Sequence, residues 1–373
     1  MADRLVLSRK HFIELVSGGA LCALALGVPR EAFGVQVIDD VYDFVDSLGR
    51  GVSIPSSIER VTPMGICAQT MLCTLLPEKL ASVAVSINEA ETQEYLNAGM
   101  GAVTDLPETG TAIKSEATGI DLGGIEAIVP SIILDIGTPK EELGSRLDAL
   151  QEETGRPCVF LDISFGKLPE AYRKLGQLLG CGKRAEKLAS YIEGIYSDIE
   201  KRRTKVLGSC KVLYASGELG LHSRGSASLQ ADVISFIGAV PIVTPHSAEN
   251  GTIDFGALAS EDVGIVLFDD ADSFDSLCSH EGEAYEIWSS IPAVQSGRVA
   301  VSPGLFHSWL GSLVLVQAIG TLWLASVLCP MVYDYDMAQK AEEFYGLFYG
   351  LETDAETTRE LVNKPVVEGY AHG

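Results

Sequence analysis

Leu188, Ile192, Ile195 and Ile199 recur at steps of four, three and four, a spacing that places all four on one face of an α-helix. Lys183, Arg184, Glu186, Lys187, Glu193, Asp198, Glu200, Lys201, Arg202 and Arg203 fill the rest of the stretch. The pattern predicts a helix over about 183–203 that buries one stripe and keeps most of its circumference in water. About twenty residues rising 1.5 Å each reach roughly 30 Å, the width of a small domain. A surface helix of a single domain has the same pattern, so the flanking sequence has to decide between the two.

On both sides the flanks alternate short apolar runs with helical segments. Before the helix, residues 82–85, 132–135 and 158–163 read as strands, with helices near 68–76, 88–98 and 140–153. After it, strands near 211–216, 240–243, 263–268 and 298–302 alternate with helices near 227–238, 254–260 and 281–290. Such alternation predicts mostly parallel sheets covered by helices. The expected fold class is therefore α/β, two doubly wound lobes joined by a long rigid helix, with a cleft between them suited to holding a solute. The expected division is an export signal at 1–32, a lobe at 33–180, the connection at 181–206, a second lobe at 207–352 and a loosely held polar tail at 353–373. Residues 312–329 approach the length of a membrane span, but Gln317, Thr321 and Ser326 interrupt them and Pro330 ends them, so a buried lobe helix is expected. The run Phe344, Tyr345, Phe348 and Tyr349 is expected to be aromatic packing.

With 47% hydrophobic against 21% charged residues, the 373-residue chain can build two domains with separate cores. Its net charge is −24, and removing residues 1–32, which hold four basic and three acidic side chains, leaves about −25. Such a surface repels nucleic-acid phosphates and anionic lipid headgroups, which excludes nucleic acid as a partner. Arg4, Arg9 and Lys10 precede an apolar run from Leu15 to Val28 that is short for a bilayer, the signature of an export signal. Ser8-Arg9-Lys10-His11-Phe12 resembles a twin-arginine signal with lysine at the second arginine, which leaves the general secretory route open. Cleavage after Ala25-Leu26-Gly27, lipidation at Cys22 and an uncleaved tether are the alternatives at this end. Cys67, Cys73, Cys158, Cys181, Cys210, Cys278 and Cys329 are scattered without a Cys-x-x-Cys pair and are expected to act as small hydrophobes.

No Gly-x-Ser-x-Gly elbow is present, Gly99-Met100-Gly101 lacks the third glycine of a dinucleotide turn, and Ser226 stands where a phosphate loop needs lysine. An enzyme and a resident cofactor are not expected. The segment His222, Ser223, Arg224, Gly225 and Ser226 precedes a helix expected to start near Ala227, where free N–H groups attract anions. Arg224 can offer a bidentate fork and His222 a pH-sensitive donor. The alternative is that Ser226 or Ser228 caps the helix and Arg224 is solvated. Phe306, His307 and Trp309 follow a strand, at the carboxyl end where crevices form in open α/β sheets, with Trp309 either a pocket wall or a core anchor. Met64, Gly65 and Ile66 form the matching loop of the first half, faced by Pro107 and Thr109. Convergence of His222, His246 and His307 on a metal would need a motif the chain does not show, and the acidic run Asp269, Asp270, Asp272 and Asp275 lacks calcium-loop spacing.

Taken in order, several fragments resemble the class III solute-binding proteins of ATP-driven importers. They are Val45-Asp46-Ser47-Leu48-Gly49-Arg50 through Ile58-Glu59-Arg60-Val61, Thr154-Gly155-Arg156-Pro157, Leu175-Gly176 to Arg184-Ala185-Glu186, Ala231-Asp232-Val233, Ile291-Pro292-Ala293-Val294, Gly297-Arg298-Val299, Ser308-Trp309, Leu322-Trp323-Leu324-Ala325 and Glu343-Phe344-Tyr345 to Gly350. The likeness runs from about 45 to 351. It implies a bilobed exported monomer, in the periplasm or on the outer face of the membrane, that holds a ligand between its lobes. The ligand would be delivered to a permease and its ATPase subunits. An iron complex, siderophore or haem-like chelate, is the leading ligand and molybdate or tungstate the alternative; a bilobed metallo-enzyme or metal-inserting protein is the alternative of another class. Family members commonly carry a permease-docking glutamate in a Thr-Glu-Ile-Leu context, where this chain has Thr70-Met71-Leu72.

Overall fold

The computed structural model describes residues 6–8, 36–38, 41–87, 89–110, 122–206, 210–242, 250–258, 261–269, 271–311, 313–353 and 355–363. The apolar core of the expected export signal, Cys22 and His246 lie outside the described residues.

A hairpin opens the first half, with β1 (Val41–Val45) antiparallel to β2 (Gly51–Pro55). Its turn is closed by the buried Asp46 carboxylate, which accepts from the Leu48 and Arg50 amides and from the Arg50 guanidinium. Arg50 also donates to the Cys158 carbonyl at 2.6 Å, so the turn is tied to the sheet beside it. That sheet is parallel, ordered β3 (Val61–Pro63), β4 (Ile132–Gly137) and β5 (Cys158–Asp162). Helices α1 (Ile66–Leu75), α2 (Glu89–Asn97), α3 (Leu143–Thr154) and α4 (Leu168–Leu179) surround it. Residues 82–85, expected as a strand, make a single bridge from Val83 to Glu108. The Gln69 side chain explains this, because its Oε1 accepts from the Ala84 and Val85 amides and its Nε2 donates to the Val85 carbonyl, replacing a neighbouring strand.

The connecting helix α5 spans Gly182–Arg203 and buries Ala185, Leu188, Ala189, Ile192, Ile195 and Ile199, the expected stripe with two small residues added. Beyond it lies a six-stranded sheet of β6 (Lys211–Ser216), β7 (His222–Arg224), β8 (Val240–Ile242), β9 (Asn250–Thr252), β10 (Ile265–Phe268) and β11 (Val299–Val301). The order is β9-β7-β6-β10-β11, with β8 pairing the first half of β6. Strands β8, β10 and β11 run parallel to their neighbours, whereas β7 returns antiparallel after a turn at Gly217–Gly220. That turn needs positive φ at Gly217, Leu219 and Gly220, and Leu219 is held there by its carbonyl accepting from the indole of buried Trp288 at 2.9 Å. Helices α6 (Leu229–Phe236), α7 (Ala271–Ser279), α8 (Gly282–Trp288), α9 (Val314–Leu328) and α10 (Met337–Tyr349) complete this half.

In β4 and β5 Leu134 and Val159 face one way and Ile133, Cys158 and Phe160 the other, as the two-residue period of a strand requires. The expectation of separate cores is corrected. One buried cluster runs from Leu134 and Val159 through the α5 stripe to Tyr214, Leu267, α9 and α10, while each sheet keeps a smaller cluster on its outer face. A helix that buries its stripe must find apolar surface on both halves, so the connection becomes part of the core. Arg184 strengthens it by donating to the Thr74 carbonyl at the end of α1 and to the Leu347 and Phe348 carbonyls at the end of α10. Carbonyls at helix ends carry partial negative charge and are otherwise without intrahelical partners. Of the expected tail, Ala355–Asn363 forms α11, which packs along α10 and buries Thr358, while 364–373 lie outside the described residues. Residues Val314–Leu328 form the expected lobe helix, and among the described residues no helix is long and apolar enough to cross a membrane.

Candidate functional site

The loops leaving the carboxyl ends of both sheets meet at one seam. After β3, the Met64 amide donates to the Leu134 carbonyl at 2.9 Å, which turns the chain into α1; Met64 itself is buried, while Gly65 and Ile66 are half-buried. Cys67 in the first turn of α1 sets its thiol against the Val314 backbone of the second half. Burial pushes that thiol up to about 11, so it stays protonated and packs as an apolar group. Pro107 is exposed, and its carbonyl accepts from the Val83 amide. Thr109 is buried and continues a hydroxyl chain to Ser82 at 3.0 Å and Thr62 at 3.3 Å. Residues 80–85 thus link the Pro107 loop to β3, the strand that leads into the Met64 loop.

On the second half, the segment Ser302–Gly311 crosses the carboxyl end of the sheet and is held at many points. The Ser302 hydroxyl accepts from the Leu310 amide at 2.9 Å, and the Tyr345 hydroxyl accepts from the Leu305 amide at 3.0 Å and the Trp309 indole at 2.8 Å. Tyr214 and Gln230 donate to the Leu310 carbonyl. Gly304 is required here, since a Cβ would lie 2.2 Å from the His307 carbonyl oxygen. Trp309 is a core anchor at 0% exposure, which corrects its reading as a pocket wall. Phe306 is also buried, at 5%, stacked on Tyr349 at 4.5 Å and edge-on to Tyr95 of α2 at 5.5 Å. It therefore closes one edge of the seam by aromatic contact between the halves, instead of lining an open wall. His307 is half-buried, and burial lowers its imidazole to about 4, so it is neutral near pH 7.

The expected anion-binding helix start is displaced. His222–Arg224 is a strand, α6 begins at Leu229, and Ser228 caps it by accepting from the Ala231 amide at 3.2 Å. Ser226 lies exposed ahead of the cap, and His222 is exposed on β7. Arg224 lies 3.7 Å from Asp269, which directly follows β10 at the carboxyl end of the second sheet. Among the described residues no cluster of three His, Cys, Asp or Glu side chains could hold a metal ion. Two described cavities, of about 830 Å³ beside Leu219 and Asp272 and about 660 Å³ beside Phe165 and Tyr196, touch neither Arg224 nor His307.

Sequence reasoning missed Gln69 and Asp135, and read Asp269 only as part of an acidic run and Tyr345 only as aromatic packing. Asp269 was within reach, because the acid immediately after the apolar run Ile265–Phe268 sits where open sheets bind ligands. Asp135 interrupts β4 at 7% exposure, and burial raises its carboxyl to about 6. Met71, at the position of the family's docking glutamate, is 1% exposed and belongs to the core.

Residues 145–304 match the family model described as periplasmic binding protein. Among solved structures, the chain is similar to an ABC transporter solute-binding protein from Sulfurospirillum deleyianum, with TM-score 0.73, 20% identity and coverage of 86% of this chain and 98% of that one. It is similar to the molybdate periplasmic binding protein MolA of Haemophilus influenzae, solved with molybdate, with TM-score 0.67, 14% identity and coverage of 84% and 99%. It is similar to the catecholate-siderophore binding protein VctP of Vibrio cholerae, with TM-score 0.55, 15% identity and coverage of 76% and 98%. A comparison with curated protein sequences gave no match. Two separate sheets, a long helix between them, facing carboxyl-end loops and the matched segment 145–304 together identify the chain as having the fold of the class III periplasmic solute-binding proteins.

Proposed function

We propose that the protein is the extracytoplasmic solute-binding component of an ABC importer and that it carries an iron complex, a siderophore or haem-like chelate, to a membrane permease. The meeting of the two sets of carboxyl-end loops, marked by Cys67 against Val314, carries this reading. Capture between the two sets of loops is non-covalent and needs no resident cofactor. Met64 to Ile66, Pro107, His222, Arg224 and His307 are the proposed contacts, with Phe306 and Trp309 shaping the loop that presents them. The lobes are taken as 33–180 and 207–352, joined by 181–206. Sharing one buried cluster and the Arg184 staple, they close on cargo by a small shear.

The oxoanion alternative rested on free amides at Gly225 to Ala227; the helix starts later and Ser228 already caps it, so that support is lost. Native mass spectrometry of protein from its own host tests the main reading, with a co-purifying iron chelate expected. Calorimetry should show micromolar or tighter binding of at least one ferric chelate or haemin and none of molybdate. Molybdate binding without chelate binding, or turnover of any chelate, would overturn it.

A further inference from the structure

Arg224 and Asp269 meet because β6 brings them to one level. Ser223 pairs with Ala215 of β6 on one side, and on the other the Asp269 amide donates to the Ala215 carbonyl at 3.1 Å. Both side chains border Tyr214, whose phenol is raised chiefly by burial, with smaller opposing effects of the Asp269 and Arg224 charges. The ion pair spans 3.7 Å, with side chains 22% and 20% exposed. Charge-assisted N–H···O bonds close to about 2.7–2.9 Å, so the pair matches charge without filling the guanidinium fork. The Arg224 Nε is buried and has no hydrogen-bond acceptor among the described residues.

Other charged groups on the described rim leave the balance acidic. Lys167 is held by Glu170 at 3.3 Å. Glu108 takes its hydrogen bond from the Ser86 hydroxyl and Asp162 from Ser164, neutral donors that leave each carboxylate charge in place. A cargo oxygen that reaches Arg224 thus meets a guanidinium whose Nε is without an acceptor and whose positive charge is already balanced.

Resting on the solute-carrier reading above, we infer that the Arg224–Asp269 pair selects cargo by charge, admitting neutral or cationic metal chelates and rejecting polyanionic ones. Carbonyl or hydroxamate oxygens of a neutral chelate fill the fork at Arg224. Each anionic group brought to the same place meets the Asp269 carboxylate, a repulsive element that discriminates between otherwise similar ligands.

The test is titration calorimetry with two probes, a neutral ferric tris-hydroxamate and a trianionic ferric tris-catecholate. Wild-type protein should bind the hydroxamate at least about tenfold more tightly, and Asp269→Asn should tighten catecholate binding about tenfold while moving the hydroxamate less than about twofold. Arg224→Gln should weaken both, and adding Asp269→Asn to it should no longer favour the catecholate. Without any variant, raising the salt should strengthen catecholate binding and leave the hydroxamate unchanged, because screening relieves repulsion. A wild-type preference for the catecholate, an equal shift of both probes, or catecholate binding weakened by salt would overturn the inference and leave the carrier reading standing. No binding of either probe by folded protein would overturn the iron-chelate reading and the inference with it.

Discussion

The two rims of the seam are held by different chemistry. The first is stiffened by neutral buried hydrogen bonds, with Gln69 bonded to residues 84 and 85 and a hydroxyl chain through Thr62, Ser82 and Thr109. The second is stiffened by aromatic mass and charge: Trp309, Phe306 and Tyr345 fix the loop, and Arg224 faces Asp269. Neutral bonds between short side chains hold local geometry and change little with pH or salt. Aromatic rings reach across to the other half, and charges remain able to answer a ligand. The first rim is therefore the fixed wall and the second the responsive one.

This contrast can be broken at its strongest point first. Trp309→Ala removes a fully buried indole and should cost about 4 kcal/mol in urea unfolding, with the Ser302–Gly311 segment gaining amide exchange well before the first rim. Uniform loss of protection across both rims would contradict the division.

Next in size is a pH test that contrasts one buried acid with one buried base. The Asp135 carboxyl is raised to about 6, so the folded state binds its proton more tightly than the unfolded chain, and stability falls as pH rises from about 4 to 6. That shift corresponds to about 3 kcal/mol at most. The His307 imidazole is lowered to about 4, so the unfolded chain binds its proton more tightly, and stability falls as pH drops from 6.5 to about 4. The two slopes oppose each other over nearly the same window. Asp135→Asn should leave a protein that weakens on acidification, and His307→Gln one that strengthens. Chemical denaturation across pH 4 to 6.5 measures both, and slopes of the same sign would refute the assignment.

Gln69→Leu strands the buried Ala84 amide and frees the exposed Val85 amide to water, and should cost about 1–3 kcal/mol, loosening residues 82–87 and the Pro107 loop alone. Tyr345→Phe strands the Leu305 amide and the Trp309 indole and should cost about 2 kcal/mol, loosening the opposite rim alone. Exchange measurements in which either variant loosens both rims would merge them into one unit. The smallest effect belongs to Arg173, which bridges Glu186 and Glu193 on an exposed face of α4 and α5; Arg173→Ala should change stability by less than about 1 kcal/mol and fade in high salt.

Legibility followed the range of the interactions. The stripe of α5 could be read because four apolar residues repeat with the period of one helix, and the central strands at 132–137, 158–162 and 211–216 because each holds a run of at least three consecutive apolar residues. The strand His222–Arg224 escaped because three polar residues carry no strand signal; its conformation comes from the turn before it and the partners on either side. Residues 82–85 looked like a strand, yet a glutamine side chain from α1 takes the ladder bonds a neighbouring strand would have made.

By itself the sequence determined the α/β character of both halves and the long charged connection, since each depends on residues within one or two turns of chain. Only the tertiary structure decided that the halves share a continuous core, that Trp309 and Phe306 are anchors, and that Arg224 meets Asp269. Those outcomes depend on which side chains meet across tens or hundreds of residues, and a local pattern of polarity carries no record of such encounters.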